Sequence, residues 1–221
     1  MQMFKTRSWL IALAVTALAL PALAQDMPRI DYMGYGWDAV PVPEGTGEVL
    51  SFATVAISVD PRYEIDAVAN QLTVYVYDLA AEATEDLGGG VTMTTYSGGF
   101  LDMYLDPDHD AAWGFDPPNA VAPGTFIDGT LFFHGAFTSF VVYYGPDGSG
   151  SFQGNLNALG GDMIAEPCDD CAYSVGGSFL PASGASLPQG YAMFVDGRFQ
   201  IDETVSNEEM GWGRVKALYA R

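Results

Sequence analysis

The feature that most constrains the fold is a two-residue alternation of apolar and polar side chains, in short segments bounded by glycine and proline. In the clearest segment, Leu72, Val74 and Val76 are separated by threonine and tyrosine. Successive side chains of a β-strand point to opposite faces, so this pattern predicts strands that bury one face. Residues 25–221 are therefore predicted to form one all-β domain, a size common for such domains.

Several further segments carry strand patterns between turn signals. They are residues 49–57, 91–96, 100–105, 131–144, 151–159, 173–180, 191–195 and 198–201. Residues 131–144 are apolar on both faces and contain Gly135, which predicts two strands or one bent strand. The absence of crossover helices favours antiparallel sheets packed face to face, as a β-sandwich or jelly roll.

Two turns are expected to form hairpins. Gly145-Pro146-Asp147-Gly148 should join residues 131–144 to residues 151–159. Asp196-Gly197 is the pair that a two-residue type I′ turn prefers, which predicts a second hairpin over residues 191–202. Residues 206–220 are left open between a helix and a closing strand.

The N-terminal segment has the three zones of a secretory signal. Lys5 and Arg7 precede an apolar run of residues 9–20, and Ala22-Leu23-Ala24 then gives a small-x-small cleavage pattern. The run is shorter than the roughly 20 apolar residues of a membrane-spanning helix. Residues 1–24 are therefore predicted to be a cleaved signal peptide, and the protein to be secreted or periplasmic.

The charge of the chain limits its partners. The formal net charge is −20, and removal of the predicted signal would take away two of its eight basic residues. Such a surface repels phosphate backbones and anionic lipid heads, so nucleic-acid binding is disfavoured. The mature chain is not expected to insert into a membrane, and an extracellular glycan or another envelope protein is the expected class of partner.

Cys168 and Cys171 are the only two cysteines, separated by two aspartates. In an exported protein such a pair is expected to form a local disulfide that staples a turn. A redox role is disfavoured because neighbouring aspartates raise the cost of forming a thiolate. A zinc site is also weighed, but the two histidines are distant in sequence.

The acidic segment 102–128 provides the main candidate site. Asp106, Asp108 and Asp110 alternate as in a calcium loop, although the glycine and glutamate of an EF-hand are missing. These three residues are candidate calcium ligands. Trp113 and Asp116 in the same segment are candidate ligand-binding residues, because long loops on rigid β scaffolds often carry function.

The sequence contains no complete motif for glycoside hydrolysis or for a serine nucleophile. Glu64-Ile65-Asp66 resembles half of the active-site strand of laminarinase-like jelly-roll glycosidases, but Val68 and Ala69 stand where the second glutamate is required. There is no Gly-x-Ser-x-Gly elbow. The sequence thus predicts a non-catalytic structural or ligand-binding module, with calcium as a candidate stabilising ion. The alternative is a secreted polysaccharide hydrolase that uses carboxylates such as Asp102, Asp108 or Asp110.

Overall fold

A computed structural model describes residues 27–37, 48–113, 123–162, 171–181 and 186–203. Eight antiparallel strands dominate these residues and pair in sequence order. Their bounds are β1 Arg29–Trp37, β2 Val49–Val59, β3 Gln71–Gly88, β4 Val91–Asp106, β5 Thr130–Tyr144, β6 Gly150–Gly160, β7 Cys171–Pro181 and β8 Met193–Glu203. The prediction of an all-β chain is confirmed.

The strands form a closed barrel, so the predicted sandwich or jelly roll is wrong. Strand β1 pairs with β2 on one side and with β8 on the other, with Tyr35 opposite Phe194. Alternation at period two describes a strand with one buried face, and it is the same whether that face looks into a barrel or at a second sheet. The strand patterns therefore could not distinguish the two architectures.

The predicted hairpin at Asp196-Gly197 is also wrong, because both residues lie inside the continuous strand β8. Gly197 pairs with Tyr32 of β1 and with Gly177 of β7. A Cβ at Gly197 would overlap the ring of Tyr32, which is fully buried. The glycine therefore makes room for an aromatic ring at the seam of the barrel, and does not form a turn.

Other strand predictions are confirmed with small changes. Residues 131–144 belong to one strand, β5, which contains a register shift between Phe137 and Ser139. Gly145 and Ser149 close the predicted turn to β6 with a hydrogen bond of 2.7 Å. Gly98 and Gly99, which the pattern placed between two strands, form a positive-φ irregularity within β4.

Apolar side chains from all eight strands fill the barrel. The fully buried rings and aliphatic chains include Phe52, Val74, Leu101, Phe133, Phe140 and Phe199. An interior cavity beside Phe152 and Phe179 measures only about 10 Å³, close to the minimum for a single water. Eight-stranded barrels are narrow enough for side chains to fill the lumen, as they do here.

Tyr96 and Tyr144 form an isolated polar pair in this interior, with hydroxyl oxygens 3.1 Å apart. Burial raises the pKa of both phenols. Tyr144→Phe should lower the free energy of unfolding by about 1–2 kcal/mol, because it leaves the Tyr96 hydroxyl buried without a partner. The double variant Tyr96→Phe with Tyr144→Phe should recover most of that loss in urea titrations. A double variant less stable than the single one would contradict this interpretation.

Candidate functional site

The described parts of the connection from β4 to β5, residues 107–113 and 123–129, lie against the outer wall of the barrel. Phe126 is fully buried there, and its carbonyl accepts a 2.7 Å hydrogen bond from Thr73 of β3. Ala111 is held by Gln71, whose side chain accepts its backbone N–H at 3.1 Å. These contacts fix both described ends of the acidic segment against one face of the sheet.

Three carboxylates meet where this connection leaves and rejoins the barrel. Asp106, Asp110 and Asp128 place ligand oxygens within 4.8 Å of one another. This group could hold a metal ion, and it contains two of the three predicted calcium ligands. Asp108, the third, is not a member of the group.

Local backbone geometry brings the three acids together. Asp106 ends β4 and accepts the backbone N–H of Asp108 at 2.8 Å and of Asp110 at 3.2 Å. His109 between them adopts a left-handed conformation, with a φ of 54°. A Cβ at Gly129 would overlap the backbone of Leu105, so only glycine allows the close approach that sets Asp128 beside Asp106.

The electrostatics of the group are those of crowded negative charge. Asp106 is buried, with 3% of its surface exposed, whereas Asp110 and Asp128 are exposed. Desolvation and then repulsion from Asp128, Asp106 and Asp108 raise the pKa of Asp110. A divalent cation would relieve this repulsion, because carboxylate oxygens are the ligands that calcium and magnesium prefer.

Trp113 lies among aromatic side chains of the outer wall. Its ring packs edge-on against Tyr35 at 5.1 Å and in a tilted arrangement against Phe126 at 5.2 Å. Together with Trp37 and Tyr191 it forms an apolar cluster on the outer wall, beneath the returning connection. The role of Trp113 visible in the structure is packing, and the other predicted ligand-binding residue, Asp116, lies outside the described residues.

A second polar group lies on the outer wall of strands β3 to β5. The Asp102 carboxylate is 6% exposed; one oxygen lies 2.6 Å from Nδ1 of His134, and the other accepts hydrogen bonds from Tyr77 and Tyr104, each 3.1 Å long. Burial, followed by the charge of Asp102, raises the pKa of both tyrosines. His134 is thus a hydrogen-bonded histidine on the wall of the sheet.

Aromatic rings beside this group stack on one another across the strands. Tyr75 and Tyr77 lie 4.6 Å apart and nearly parallel, and Phe100 stacks on His134 at 5.5 Å. Trp37 also stacks on Tyr75, at 6.0 Å. Because the ring faces are used by neighbouring rings, this ladder stabilises the sheet and offers little free platform for a sugar ring.

The remaining predicted sites have different outcomes. Glu64 and Asp66 lie in the connection between β2 and β3, where Asp66 caps a turn by accepting the backbone N–H groups of Val68 and Ala69. They are not on an active-site strand. Cys171 begins β7, whereas Cys168, the signal segment 1–24 and residues 206–220 lie outside the described residues. The disulfide and the signal peptide stay predictions.

No protein-family model, no curated protein and no solved structure matches this chain. In the described ranges, the helical segments are single short turns, and none has the length and hydrophobicity of a membrane-spanning helix.

Sequence reasoning identified the acidic segment but missed how its members combine. Asp128 stands apart in sequence from the alternating acids, and the local signal that marks it is the adjacent Gly129. The pairing of Asp102 with His134 left no local signal, because these residues are opposite one another only in the β4–β5 register.

Proposed function

We propose that this protein is an exported, non-catalytic binding module that presents ligand sites on the outer wall of a filled β-barrel, and that calcium stabilises it. The interior supports this proposal: apolar side chains from every strand occupy the space that ligand-carrying barrels leave open. Binding would therefore take place outside the lumen. The acidity of the chain and the predicted signal peptide support an extracellular or periplasmic location.

The proposal that calcium stabilises the protein, called the calcium clause below, rests on the group of three carboxylates. Asp106, Asp110 and Asp128 come from both ends of the β4–β5 connection, so an ion bound by all three would tie that connection to the barrel. Calcium accepts six to eight oxygen ligands and tolerates irregular geometry, so carbonyls and waters can complete the shell. Bound calcium would thereby stabilise the outer apolar cluster that includes Trp113 and Phe126.

Thermal melting of the full chain tests this clause. With calcium at ten times its Kd, linkage predicts a gain of about 1.4 kcal/mol over the chelated protein. For a chain of this size the gain corresponds to a rise in Tm of roughly 3–6 °C. Asp128→Asn should abolish the calcium-dependent rise, and the matched control Asp108→Asn should retain it. An equal Tm in calcium and in chelator would contradict the proposal that calcium stabilises the protein.

Asp110→Asn should change the free energy of unfolding in opposite directions in chelator and in calcium. The pKa of Asp110 is raised in the folded state above its ordinary value of 3.8. The folded protein therefore binds this proton more tightly than the unfolded chain, and the associated stability is lost as the pH rises through the titration range of Asp110. In chelator at neutral pH the variant should be at least as stable as the wild type, with a weaker pH dependence. In calcium it should be less stable than the wild type.

The alternative of a polysaccharide hydrolase is not favoured by the arrangement of its named acids. The Asp102 carboxylate is held by His134 and two tyrosines on the wall of the sheet, while Asp110 lies among the carboxylates at the end of β4. A glycosidase needs two carboxyl groups about 5–10 Å apart across a substrate cleft. Release of reducing ends from a soluble polysaccharide by the purified chain would revive this alternative.

A further inference from the structure

The outer wall on the side of β5 to β1 differs from the aromatic side. Two adjoining concavities, each of about 360 Å³, lie across this wall and share Gly176 and Gln200 as lining residues. A space of this size falls in the range of small-ligand sites. The two concavities together reach from β5 across β6, β7 and β8 to β1, which is about 19 Å at the usual strand spacing. We call them the polar groove.

The groove exists because the outward side chains of its central strand are small. Strand β7 presents Ser174, Gly176 and Ser178 outward, while the flanking strands carry longer side chains such as Gln153 and Gln200. The alternation of buried and exposed residues in β6 places Gln153, Asn155 and Asn157 on the outer face. The longer side chains therefore form walls on both sides of a low floor.

The walls present hydrogen-bonding groups that are only partly used within the protein. Asn155 donates to the hydroxyl of Ser139 at 3.0 Å, which fixes one amide on the wall. The amides of Gln153 and Gln200 have no hydrogen-bond partner among the described residues. Amides and hydroxyls both donate and accept, which is the capacity that matches a ligand rich in hydroxyl groups.

The charge in the groove is close to neutral, in contrast to the whole chain. Arg198, its one cationic side chain among the described lining residues, lies 2.6 Å from Asp31. Asp196 is the remaining charged group at that end. The net charge of −20 opposes an anionic ligand. For a cationic ligand the described lining of the groove offers a single uncompensated carboxylate, that of Asp196.

We propose that the polar groove binds a neutral glycan chain, held by the amides of Gln153, Asn155 and Gln200 along a floor of small residues. The inference rests on the proposed role as a binding module with sites on the outer wall, and it names the class of ligand. Hydrogen bonds to hydroxyl groups, rather than ring stacking, provide the recognition. The glycan lies across the strands, so it contacts several strands of the barrel at once.

Native affinity electrophoresis of the full chain tests the proposal. The probes are four neutral polysaccharides (dextran, galactomannan, hydroxyethyl cellulose and soluble starch), with alginate as an acidic polysaccharide and unfolded casein as an extended polypeptide. The protein should be retarded in at least one neutral gel. Gly176→Leu should abolish the retardation, because its side chain fills the point where the two concavities meet, and the nearest atom to the new Cβ is 3.5 Å away.

Gly160→Leu is the matched control, because a Cβ there meets nothing within 4 Å and the residue is not part of the groove. It should be retarded like the wild type. Gln200→Ala should weaken binding by about three- to tenfold, the effect of losing one hydrogen bond. If Gly176→Leu does not fold, the double variant Gln153→Ala with Gln200→Ala decides in its place.

Unchanged mobility in all four neutral gels would overturn the proposal, as would retardation only by alginate or casein, or full retardation of a groove variant that folds. All gels are run both in calcium and in chelator. Retardation by a neutral glycan without any calcium effect on Tm would overturn only the calcium clause. A calcium effect without neutral-glycan retardation would overturn only the groove.

Discussion

Phe133→Ala is expected to destabilise the protein by about 3–5 kcal/mol, the usual cost of removing a buried aromatic ring. Phe133 of β5 is fully buried and packs against Phe199 at 5.0 Å and Tyr173 at 5.4 Å. The Phe133 ring therefore links β5 with β7 and β8 through the lumen. Gly135 leaves space for its ring, because a Cβ there would contact it at 2.7 Å.

Urea unfolding followed by tryptophan fluorescence measures this effect. The control is Leu159→Ala on β6, whose side chain is 57% exposed and whose loss should cost less than about 1 kcal/mol. If both variants lost similar stability, the side chains of the lumen would not form the main core. The lumen would then be open to a ligand, contrary to the proposed function.

Asp102→Ala should cost about 2–3 kcal/mol, because it leaves two tyrosine hydroxyls and one imidazole without their common acceptor. Water can reach part of this group, since the side chain of His134 is 30% exposed, and this limits the loss. Asp102→Asn should cost less than Asp102→Ala, because the amide oxygen can still accept one of the three hydrogen bonds. The free energy of unfolding from urea titration measures both.

Asp162→Ala serves as the exposed control and should change stability by no more than about 0.5 kcal/mol. If Asp102→Ala were as mild as this control, the contacts to His134, Tyr77 and Tyr104 would contribute nothing to the sheet. The hydrogen bonds of Asp102 on the outer wall would then not be formed stably in solution.

The strands were predictable because the alternation of apolar and polar side chains is a local feature of the sequence. Leu72, Val74 and Val76 face the lumen as the pattern required, and the β5–β6 hairpin forms at the predicted turn. Closure was not predictable, because it depends on the pairing of β1 with β8, which are more than 150 residues apart. Gly197 was misinterpreted for the same reason, since the ring that requires it belongs to β1.

The candidate metal group was predictable only in part. Asp106 and Asp110 are close in sequence, and a turn through His109 is enough to bring them together. Asp128 joins them because the chain folds back along the end of β4, an arrangement fixed by tertiary packing of Phe126. The polar groove likewise needs the barrel, because its walls belong to strands that become neighbours only when the sheet has formed.

Barrel closure is the central claim, because both the filled lumen and the continuous outer wall depend on it. Nuclear Overhauser contacts between backbone protons of β1 and β8 test it most directly. A closed barrel predicts cross-strand contacts from Tyr35 to Phe194 and from Met33 to Asp196. It also predicts contacts within each of the seven pairs of strands that follow one another in sequence. Observation of the sequential pairs with no contact between β1 and β8 would contradict it and indicate an open sheet or a sandwich.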